Sequence, residues 1–499
     1  MSPKSILLMN RKNLEWLNEK IIPYMSNKYN TKFYIIGADD KRAMISKWLG
    51  NNENFYGLSS LETKAEKYIN VTEEQIYKIA RGYEEKYKVT LFRDSVLQDR
   101  EFALNYLHIV ANNAASMNLK LSFSDIIKRQ NYFFKFAEKI FKEKNIDLVI
   151  CRPDSLLGFA ITTIAKHNGI PITIQASTRI DGYMYWTYGA YMEDKQIRKY
   201  IINSLKKNIK PTKQKEKTAS HSFKDRQNLI KAMSLSSLIN DVIYILKDSL
   251  NWLLKDIKRG KIGKRVSVYL RLKSKIIAYK EHKFFQNFLE SNLEKICESP
   301  YLYFPLPTEP EYSTHSLSKE FVNTYAMIQQ VAISLPIGYK LVIKEHTPNV
   351  GARTRDFYTR LGKIPNIINA NYLISGPDLI DNSKAIVTIA GSSAIEAAER
   401  GIKAVVFATS SEFLCLSNII LAHSMRDLPE VLKEALKPFN KKEVERVKLE
   451  AELLRSSYKK IGYYAPDTAL FHGKNTDIKL DQLKKAVKGL IEVWNLQKK

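Results

Sequence analysis

A glycine–serine turn in the second half of the chain has the composition of a phosphate-binding site. An apolar strand-like run, Ala385–Ile389, leads through Gly391, Ser392 and Ser393 directly into a helix-like stretch. Gly391 permits a tight turn, and the serine hydroxyls can cap the helix. The free N–H groups and the positive end of the helix dipole then favour a phosphate or diphosphate. A plain strand–helix turn with a serine cap fits the same spacing, so the turn alone leaves both interpretations open.

A second segment places a cation and a titratable ring where a ligand of this turn would sit. The apolar run Lys340–Lys344 is followed by Glu345 and His346. Ligands of parallel sheets bind at the carboxyl ends of the strands, which is where these side chains fall. His346 can donate to a phosphate oxygen or protonate a leaving group, although a histidine after a strand is often structural. Glu396 lies on the first turn of the helix that follows Ser393, where it can accept hydrogen bonds from a ribose or sugar hydroxyl.

A proline-rich loop forms a third candidate segment. Residues 304–314 contain the carboxylates Glu309 and Glu311, followed by hydroxyl-bearing residues and a helix-like stretch. The prolines keep the loop extended and stiff. The loop is a candidate wall of a ligand cleft, and by itself it identifies no chemistry.

Strand-like and helix-like runs alternate on both sides of these residues. The clearest unit is a strand-like run at 147–151, a helix-like stretch at 160–167 that stops at Asn168–Gly169, and a strand-like run at 170–174. Such a unit predicts a parallel sheet with a right-handed crossover. Further predicted strands are Ser5–Met9, Lys32–Gly37, Tyr301–Leu306, Lys340–Lys344, Ala385–Ile389 and Lys403–Phe407, and further predicted helices are Ser316–Ser334, Arg353–Leu361, Ser393–Arg400 and Leu480–Gln497.

This alternation divides the chain into four parts. We expect an N-terminal α/β domain at 1–194, a basic helical insertion or linker at 195–299, a C-terminal α/β domain at 300–475 and a C-terminal helix at 476–499. The predicted fold class is therefore α/β, with two Rossmann-like domains that face each other across a cleft and a helical basic insertion between them.

Taken in order, the candidate residues resemble the capsule polysaccharide synthesis family, which includes the bacterial Kdo transferases that build capsule lipid anchors. The resemblance covers residues 301–413 and is carried by Phe304-Pro305-Leu306 with Pro310–Thr314, by Lys344-Glu345-His346 with Gly351 and Arg353, by Pro365-Asn366, by Thr388–Gly391 with Glu396-Ala397, and by Gly401-Ile402-Lys403. The family's His-Pro pair is His346-Thr347 here, with the proline at position 348. The first half matches more faintly, through Arg152-Pro153-Asp154, Gly169-Ile170-Pro171 and Arg179.

The resemblance implies a glycosyltransferase of GT-B-like architecture that needs no metal ion. Its C-terminal domain would bind a nucleotide-sugar donor, with CMP-activated sugar acids favoured, and its N-terminal domain would bind a glycan or glycolipid acceptor of capsule or surface polysaccharide. The residues implied for the donor are Lys344, Glu311, His346, Gly391, Ser392, Ser393 and Glu396. Our candidates for a catalytic base on the acceptor side are Asp154 and Asp181.

The formal net charge of +27 predicts an anionic partner. Residues 251–280 contain ten Lys and Arg against one acid, interleaved with apolar side chains. That mixture is typical of a helix lying on an anionic membrane, here the inner surface of the plasma membrane, and a solvated helix face is the alternative. No nucleic-acid recognition motif accompanies the charge, so we expect no nucleic-acid partner.

Composition limits the remaining choices. With 44% hydrophobic and 26% charged residues, the 499-residue chain has enough apolar material for folded domains. Three cysteines without a CxxC pair predict neither disulfides nor a zinc site, and no apolar run reaches the 18 residues of a spanning helix. We therefore expect a cytoplasmic protein that can be peripheral on the membrane. The alternative functions are a nucleotide-sugar 2-epimerase-like isomerase and a non-catalytic nucleotide- or sugar-binding subunit of a polysaccharide assembly complex. A transferase of polyol phosphates, as in teichoic-acid synthesis, would also use a phosphate site here but would transfer the phosphate itself.

Overall fold

The structure is a computed structural model that describes most of the chain. It covers residues 1–11, 14–50, 53–66, 72–99, 122–178, 182–207, 209, 211, 234–259, 268–309, 311–346, 349–350, 353–464 and 478–498. Only the backbone is described at 252–259 and at positions 270, 274, 278, 282, 286 and 287. The candidate base Asp181 and the family-motif positions Pro310, Thr347 and Gly351 lie outside the described residues.

The first half of the chain contains a five-stranded parallel sheet. Its strands are β1 (Ser5–Met9), β2 (Lys32–Gly37), β3 (Phe55–Gly57), β4 (Leu148–Ile150) and β5 (Ile172–Thr173), in the order β3-β2-β1-β4-β5. The helices of this half are α1 (Glu15–Tyr29), α2 (Arg42–Leu49), α3 (Leu58–Glu66), α4 (Glu73–Tyr87), α5 (Leu91–Val96), α6 (Phe123–Glu143), α7 (Leu156–His167) and α8 (Lys195–Lys206), with a 3₁₀ turn at Asp39–Lys41. The strands are nearly continuous apolar runs because helices cover both faces of a parallel sheet.

A short antiparallel pair and a helical hairpin connect the halves. The pair is β6 (Gln175–Ser177) with β7 (Tyr183–Trp186), and the hairpin is α9 (Leu235–Arg259) with α10 (Val268–Phe288), followed by the short helix α11 (Leu293–Cys297). The helical character expected between the domains is thus confirmed for the described residues. In the described part of the chain no helix is both long and apolar enough to cross a bilayer.

The second half contains a six-stranded parallel sheet of the full Rossmann order. Its strands are β8 (Tyr301–Pro305), β9 (Lys340–Lys344), β10 (Ile367–Ala370), β11 (Ala385–Thr388), β12 (Ala404–Val406) and β13 (Ile419–Leu421), in the order β10-β9-β8-β11-β12-β13. The helices are α12 (Tyr312–His315), α13 (Thr324–Ile333), α14 (Arg355–Leu361), α15 (Gly376–Asp381), α16 (Ser393–Arg400), α17 (Leu428–Leu436) and α18 (Lys441–Ile461), with 3₁₀ turns at Lys319–Phe321 and Met425–Asp427. Numbered within the half, this order is 3-2-1-4-5-6, and the first sheet has the order 3-2-1-4-5.

The chain finally returns to its first half. Strand β14 (Tyr463–Tyr464) pairs antiparallel with β7, and helix α19 (Leu480–Gln497) packs beneath it. The indole N–H of Trp494 donates to the Asp147 carbonyl at 3.0 Å, and the Gln497 side chain binds both the N–H and the carbonyl of Ile172. Gln497 therefore satisfies an edge strand that would otherwise present unpaired backbone groups.

The carboxyl ends of the two sheets face each other. The guanidinium of Arg152, directly after β4, lies 5.2 Å from the ring centre of Tyr312, which follows β8. The hydroxyl of Tyr312 donates to the Ala190 carbonyl, and His315 Nδ1 lies 3.0 Å from the Leu97 carbonyl oxygen. Two Rossmann-like halves that meet at their strand ends form the predicted GT-B-like arrangement, and the fold class is confirmed.

Several predicted elements differ from the structure in their bounds by a few residues, and two differ more. The helix expected at 316–334 is split into a 3₁₀ turn and α13, because Asn323 caps α13 by accepting from the N–H of Ala326 at 3.1 Å. The strand expected at 170–174 is reduced to the two residues of β5. Each difference arises from a local polar or proline-containing connection.

Gly401 provides a test of how tightly α16 is packed. Its φ is +71°, and a Cβ atom there would lie 2.6 Å from Cγ1 of Val444 on α18. We expect Gly401→Ala to lower the free energy of unfolding by roughly 1–3 kcal/mol, because it adds a clash to an unfavourable backbone conformation. Gly50 has the same φ with open space around it, so Gly50→Ala in parallel denaturant titrations isolates the backbone cost. Equal losses for the two variants would contradict tight packing of α16 on α18.

Candidate functional site

The three candidate segments follow neighbouring strands of the second sheet. Strand β8 lies between β9 and β11. From β8 the chain adds β9 and β10 on one side, and from β11 it adds β12 and β13 on the other, so the switch point lies between β8 and β11. In such sheets the crevice outside the strand ends at this switch point is the usual ligand site. The loop after β8, the Glu345–His346 segment after β9 and the glycine–serine turn after β11 are therefore brought to one edge.

A buried ion-pair network joins the first two segments. The guanidinium of Arg353 donates from Nη1 to Glu345 and from Nη2 to Glu309 at 2.8 Å, and these three side chains are 0–2% exposed. Tyr358 donates to Glu345, and Thr324 donates to Glu309. Burial raises the pKa of Glu309, while the neighbouring Arg353 charge opposes that rise. The carboxylates are tolerated inside the protein because each of them is hydrogen-bonded.

The same network fixes the backbone that carries His346. Arg353 Nη2 also donates to the Pro307 carbonyl at 2.8 Å, and Glu345 Oε1 accepts from the His346 N–H at 2.7 Å. The exposed imidazole has its Nδ1 atom 3.1 Å from the hydroxyl oxygen of Thr308. The ring is therefore held at Nδ1. Thr308 was not among the predicted site residues, because the sequence shows only a hydroxyl-bearing residue in the loop after a predicted strand.

The glycine–serine turn presents a buried hydroxyl without a partner. The Gly391 N–H donates to Thr388 Oγ1 at 3.0 Å, and a Cβ atom on Gly391 would lie 2.6 Å from that oxygen, so the turn requires glycine. Ser393 is 8% exposed, and its Oγ atom has no hydrogen-bond partner among the described residues. A buried polar atom without a partner is costly unless something outside the described chain satisfies it.

The expected serine cap of α16 is wrong. Ser392 stands at the N-cap position, but its φ and ψ of −62° and −17° are helical, and its side chain makes no capping hydrogen bond. A capping side chain needs an extended backbone at that position to reach the N–H groups of the first turn. The start of α16 is thus left without a side-chain cap.

The equivalent turn of the first half is closed by its own side chains. Ser155 Oγ accepts from the Gly158 N–H at 3.0 Å, and Asp99 Oδ2 accepts from the Leu156 N–H at 2.9 Å. A carboxylate already sits where an anion would bind at the start of α7. Of these two turns, only the one before α16 leaves its helix start without a side-chain cap.

Lys344 and Tyr303 approach the start of α15, and Glu396 lies on the first turn of α16. Lys344 Nζ and Tyr303 OH each lie 3.9 Å from the point that a Cβ atom on Gly376 would occupy. The pKa of Glu396 is raised by burial and by the charge of Glu399, and the charge of Lys344 is among those that oppose the rise. Burial also raises the pKa of Tyr303, and the charge of Glu396 adds to that rise. These side chains give the strand edge a cation and hydrogen-bonding groups of both kinds.

Across the cleft, Asp154 lies near the loop after β8. Its Oδ2 atom is 3.7 Å from Nη2 of Arg11, and its side chain is 15% exposed. The charge of Asp154 raises the pKa of Tyr312, which is already raised by burial, whereas Arg152 opposes the rise. Asp154 lies two residues after Arg152, whose guanidinium is 5.2 Å from the ring centre of Tyr312. Glu311 is exposed beside that tyrosine and accepts from Ser313 Oγ at 3.2 Å.

A cavity of about 650 Å³ opens along α7 of the first half. Its lining includes Tyr188 and Tyr191, the lysines Lys166 and Lys319, and the acids Asp94 and Glu193. Lys319 belongs to the second half and lies 3.7 Å from Asp94, so both halves contribute to the cavity. None of the predicted site residues lines it. Separately, no cluster of three or more His, Cys, Asp or Glu side chains in the described ranges can hold a metal ion.

The sequence matches no family model and no curated protein. Among solved structures, MnaA of S. aureus in complex with UDP is 11% identical over 92% of each chain, with a TM-score of 0.25. The UDP-GlcNAc 2-epimerase of Neisseria meningitidis bound to UDP-GlcNAc is 10% identical over 91% of this chain and 99% of that chain, with a TM-score of 0.25. CalG4, the calicheamicin glycosyltransferase, is 12% identical over 92% and 96%, with a TM-score of 0.24. Likeness at this level carries no argument about activity or ligand.

Arg353→Met tests whether the network holds the strand ends. It leaves Glu309 and Glu345 buried without a counter-ion, and we expect the free energy of unfolding to fall by about 3–5 kcal/mol at neutral pH. Without Arg353 the pKa of Glu309 rises further, so that carboxyl is protonated in the folded state up to a higher pH. The loss should therefore be smaller at pH 5 than at pH 8.

The matched control for this variant is Arg360→Met. Arg360 pairs with Asp356 one helical turn away, and both side chains are 61% exposed. An exposed pair of this kind contributes about 0.3–0.5 kcal/mol. Chemical denaturation at the two pH values measures both variants. A loss for Arg353→Met that is as small as the control's, or independent of pH, would contradict the role given to the network.

Proposed function

We propose that the chain is a glycosyltransferase that moves a sugar from a nucleotide-sugar donor to a growing capsule or surface polysaccharide. The observation that carries the proposal is the buried hydroxyl of Ser393, which has no partner among the described residues and lies at a helix start without a side-chain cap, on the switch point of the second sheet. Lys344 and His346 extend from the same edge. A phosphate supplies the negative charge and the acceptor oxygens that this combination lacks.

In the proposed complex the second half holds the donor. The N–H groups and the hydroxyl of the Gly391–Ser393 turn bind the donor phosphate together with Lys344, and Glu396 binds a hydroxyl of the ribose or sugar. His346, held at Nδ1 by Thr308, donates to the departing phosphate oxygen through its other ring nitrogen. Basic groups then neutralise the leaving phosphate without a metal ion.

The acceptor enters from the first half. Asp154 takes the proton of the acceptor hydroxyl while the hydroxyl oxygen bonds to the anomeric carbon of the donor sugar. The bond from that carbon to the phosphate oxygen breaks. The electron pair of the broken bond stays on the nucleotide phosphate.

The donor class and the cellular place of the reaction follow the resemblance to the capsule polysaccharide synthesis family. On that basis a CMP-activated sugar acid is the favoured donor and a glycan or glycolipid the acceptor. The basic segment at 251–280 would hold a cytoplasmic enzyme against the anionic inner surface of the membrane where such acceptors grow. Other proteins of capsule assembly are further proposed partners.

A thermal-shift panel of CMP, CDP, UDP, GDP and CDP-glycerol tests the donor class. A ligand that binds only the folded state raises the melting temperature, and we expect the largest rise with CMP. A selective rise with UDP would contradict the CMP assignment and favour a hexose transferase or a 2-epimerase. The latter two are separated by incubation with the nucleotide sugar alone, since only an epimerase converts it without an acceptor. No response to any nucleotide would favour a non-catalytic subunit.

The two serine turns allow a reciprocal test of the phosphate site. Ser393→Ala removes a buried hydroxyl that has no partner among the described residues, so we expect the stability of the unliganded protein to be equal or higher. Nucleotide affinity should be roughly tenfold weaker, because one hydrogen bond to a charged group is lost. Ser155→Ala removes a helix cap, so it should cost about 1 kcal/mol of stability and leave the affinity unchanged. Titration calorimetry and denaturation measure both quantities. Equal nucleotide affinity of Ser393→Ala and the wild type would place the phosphate elsewhere.

A further inference from the structure

The hairpin between the two halves exposes a row of apolar side chains. Its members are Leu235, Ile239, Ile243, Leu246 and Leu250 of α9, which are 58%, 51%, 44%, 50% and 57% exposed. Their spacing of four, four, three and four residues places them within an arc of about 80° on the helix and along about 22 Å of its length. We call these five residues the apolar stripe. Single exposed apolar side chains are ordinary on protein surfaces, but a continuous row marks an interaction surface.

The other face of α9 already has its partner within the chain. Ile245 is 3% exposed, and the acids Asp241 and Asp248 pair with Lys275 and Arg271 of α10 at 2.8 and 2.9 Å. The two carboxylates of α9 within 235–250 are thus used in holding the hairpin together. The apolar stripe lies to one side of this contact.

The charges around the apolar stripe are basic. Lys247 is exposed on α9 beside it, and α10 carries further exposed lysines at Lys273, Lys280 and Lys283. In the sequence, residues 251–267 contain six further Lys and Arg against one acid. An apolar face bordered by cations complements the acyl chains and anionic headgroups of a bilayer, whereas a protein partner would need a matching acidic surface.

We propose that the apolar stripe inserts into the interfacial layer of an anionic bilayer, with α9 lying in the membrane plane and the flanking lysines on the headgroups. The inference extends the proposed membrane contact of the basic segment, and it is independent of the proposed sugar transfer. Insertion by a stripe of about 22 Å would orient the whole chain on the membrane, because the hairpin also contacts the second half through the ion pair of Glu281 with Arg355 at 3.1 Å.

Vesicle flotation tests the inference. The full chain is mixed with vesicles of phosphatidylcholine containing phosphatidylglycerol, or of phosphatidylcholine alone, at low and high salt. The stripe variant carries Ile239→Gln, Ile243→Gln and Leu246→Gln, which keep helix propensity and chain length while removing the apolar face. The control variant is Tyr244→Gln, which changes a side chain that is 64% exposed on the opposite side of α9. Matching melting temperatures of the three proteins verify that the hairpin is intact.

We expect the wild type and the control to bind the anionic vesicles with affinities within twofold of each other. The stripe variant should bind at least tenfold more weakly, and its remaining binding should vanish at high salt. Equal binding by the stripe variant and the wild type would overturn the inference while leaving electrostatic contact by the basic segment. No vesicle binding by the wild type would overturn both the insertion of the apolar stripe and the membrane contact of the basic segment. A wild-type dimer that becomes a monomer in the stripe variant, without vesicle binding, would instead make the apolar stripe a contact between two copies.

Discussion

The arrangement of the strand-end edge depends on one buried cation. Arg353 lies between Glu309 and Glu345 with almost no solvent exposure, and it also holds the Pro307 carbonyl. Burying three charged groups is expensive, and here it is offset by the hydrogen bonds that both terminal nitrogens of Arg353 make to the two carboxylates and to the Pro307 carbonyl. Those hydrogen bonds fix the loops after β8 and β9 relative to each other. These two loops position the imidazole of His346, through the hydrogen bond of the His346 backbone N–H to Glu345 and the contact of the ring with Thr308.

The two sheets share the strand order 3-2-1-4-5, to which the second adds a sixth strand, and the halves differ in the turn that follows the fourth strand. In the first half, Asp99 and Ser155 satisfy the start of α7 from within the chain. In the second half, Ser392 is already helical and Ser393 has a buried oxygen without a partner. A carboxylate is a permanent occupant of an anion site, so the first turn serves stability. The second turn has no such internal carboxylate among the described residues, and this asymmetry is the reason for proposing the donor in the second half and the acceptor in the first.

Local patterns predicted much of the fold, and long-range contacts decided the rest. Helices α16 and α19 begin and end at the predicted residues because glycine stops and apolar periodicity are encoded nearby. The Asp99 contact joins residues 57 positions apart, and no spacing rule could find it. Arg353 was visible as a motif residue, but its burial between two carboxylates depends on where β8 and β9 place their loops. The unpartnered Ser393 hydroxyl likewise became recognisable only when its surroundings were known.

The most direct test of the account is the structure of the chain with the nucleotide that binds it best. We expect a phosphate within hydrogen-bonding distance of Ser393 Oγ and the N–H groups of the Gly391–Ser393 turn. Lys344 and His346 should donate hydrogen bonds to the other phosphate oxygens. We also expect Asp99 to stay on the start of α7. A phosphate bound at the turn before α7, or anywhere away from the switch point of the second sheet, would contradict the assignment of the donor site.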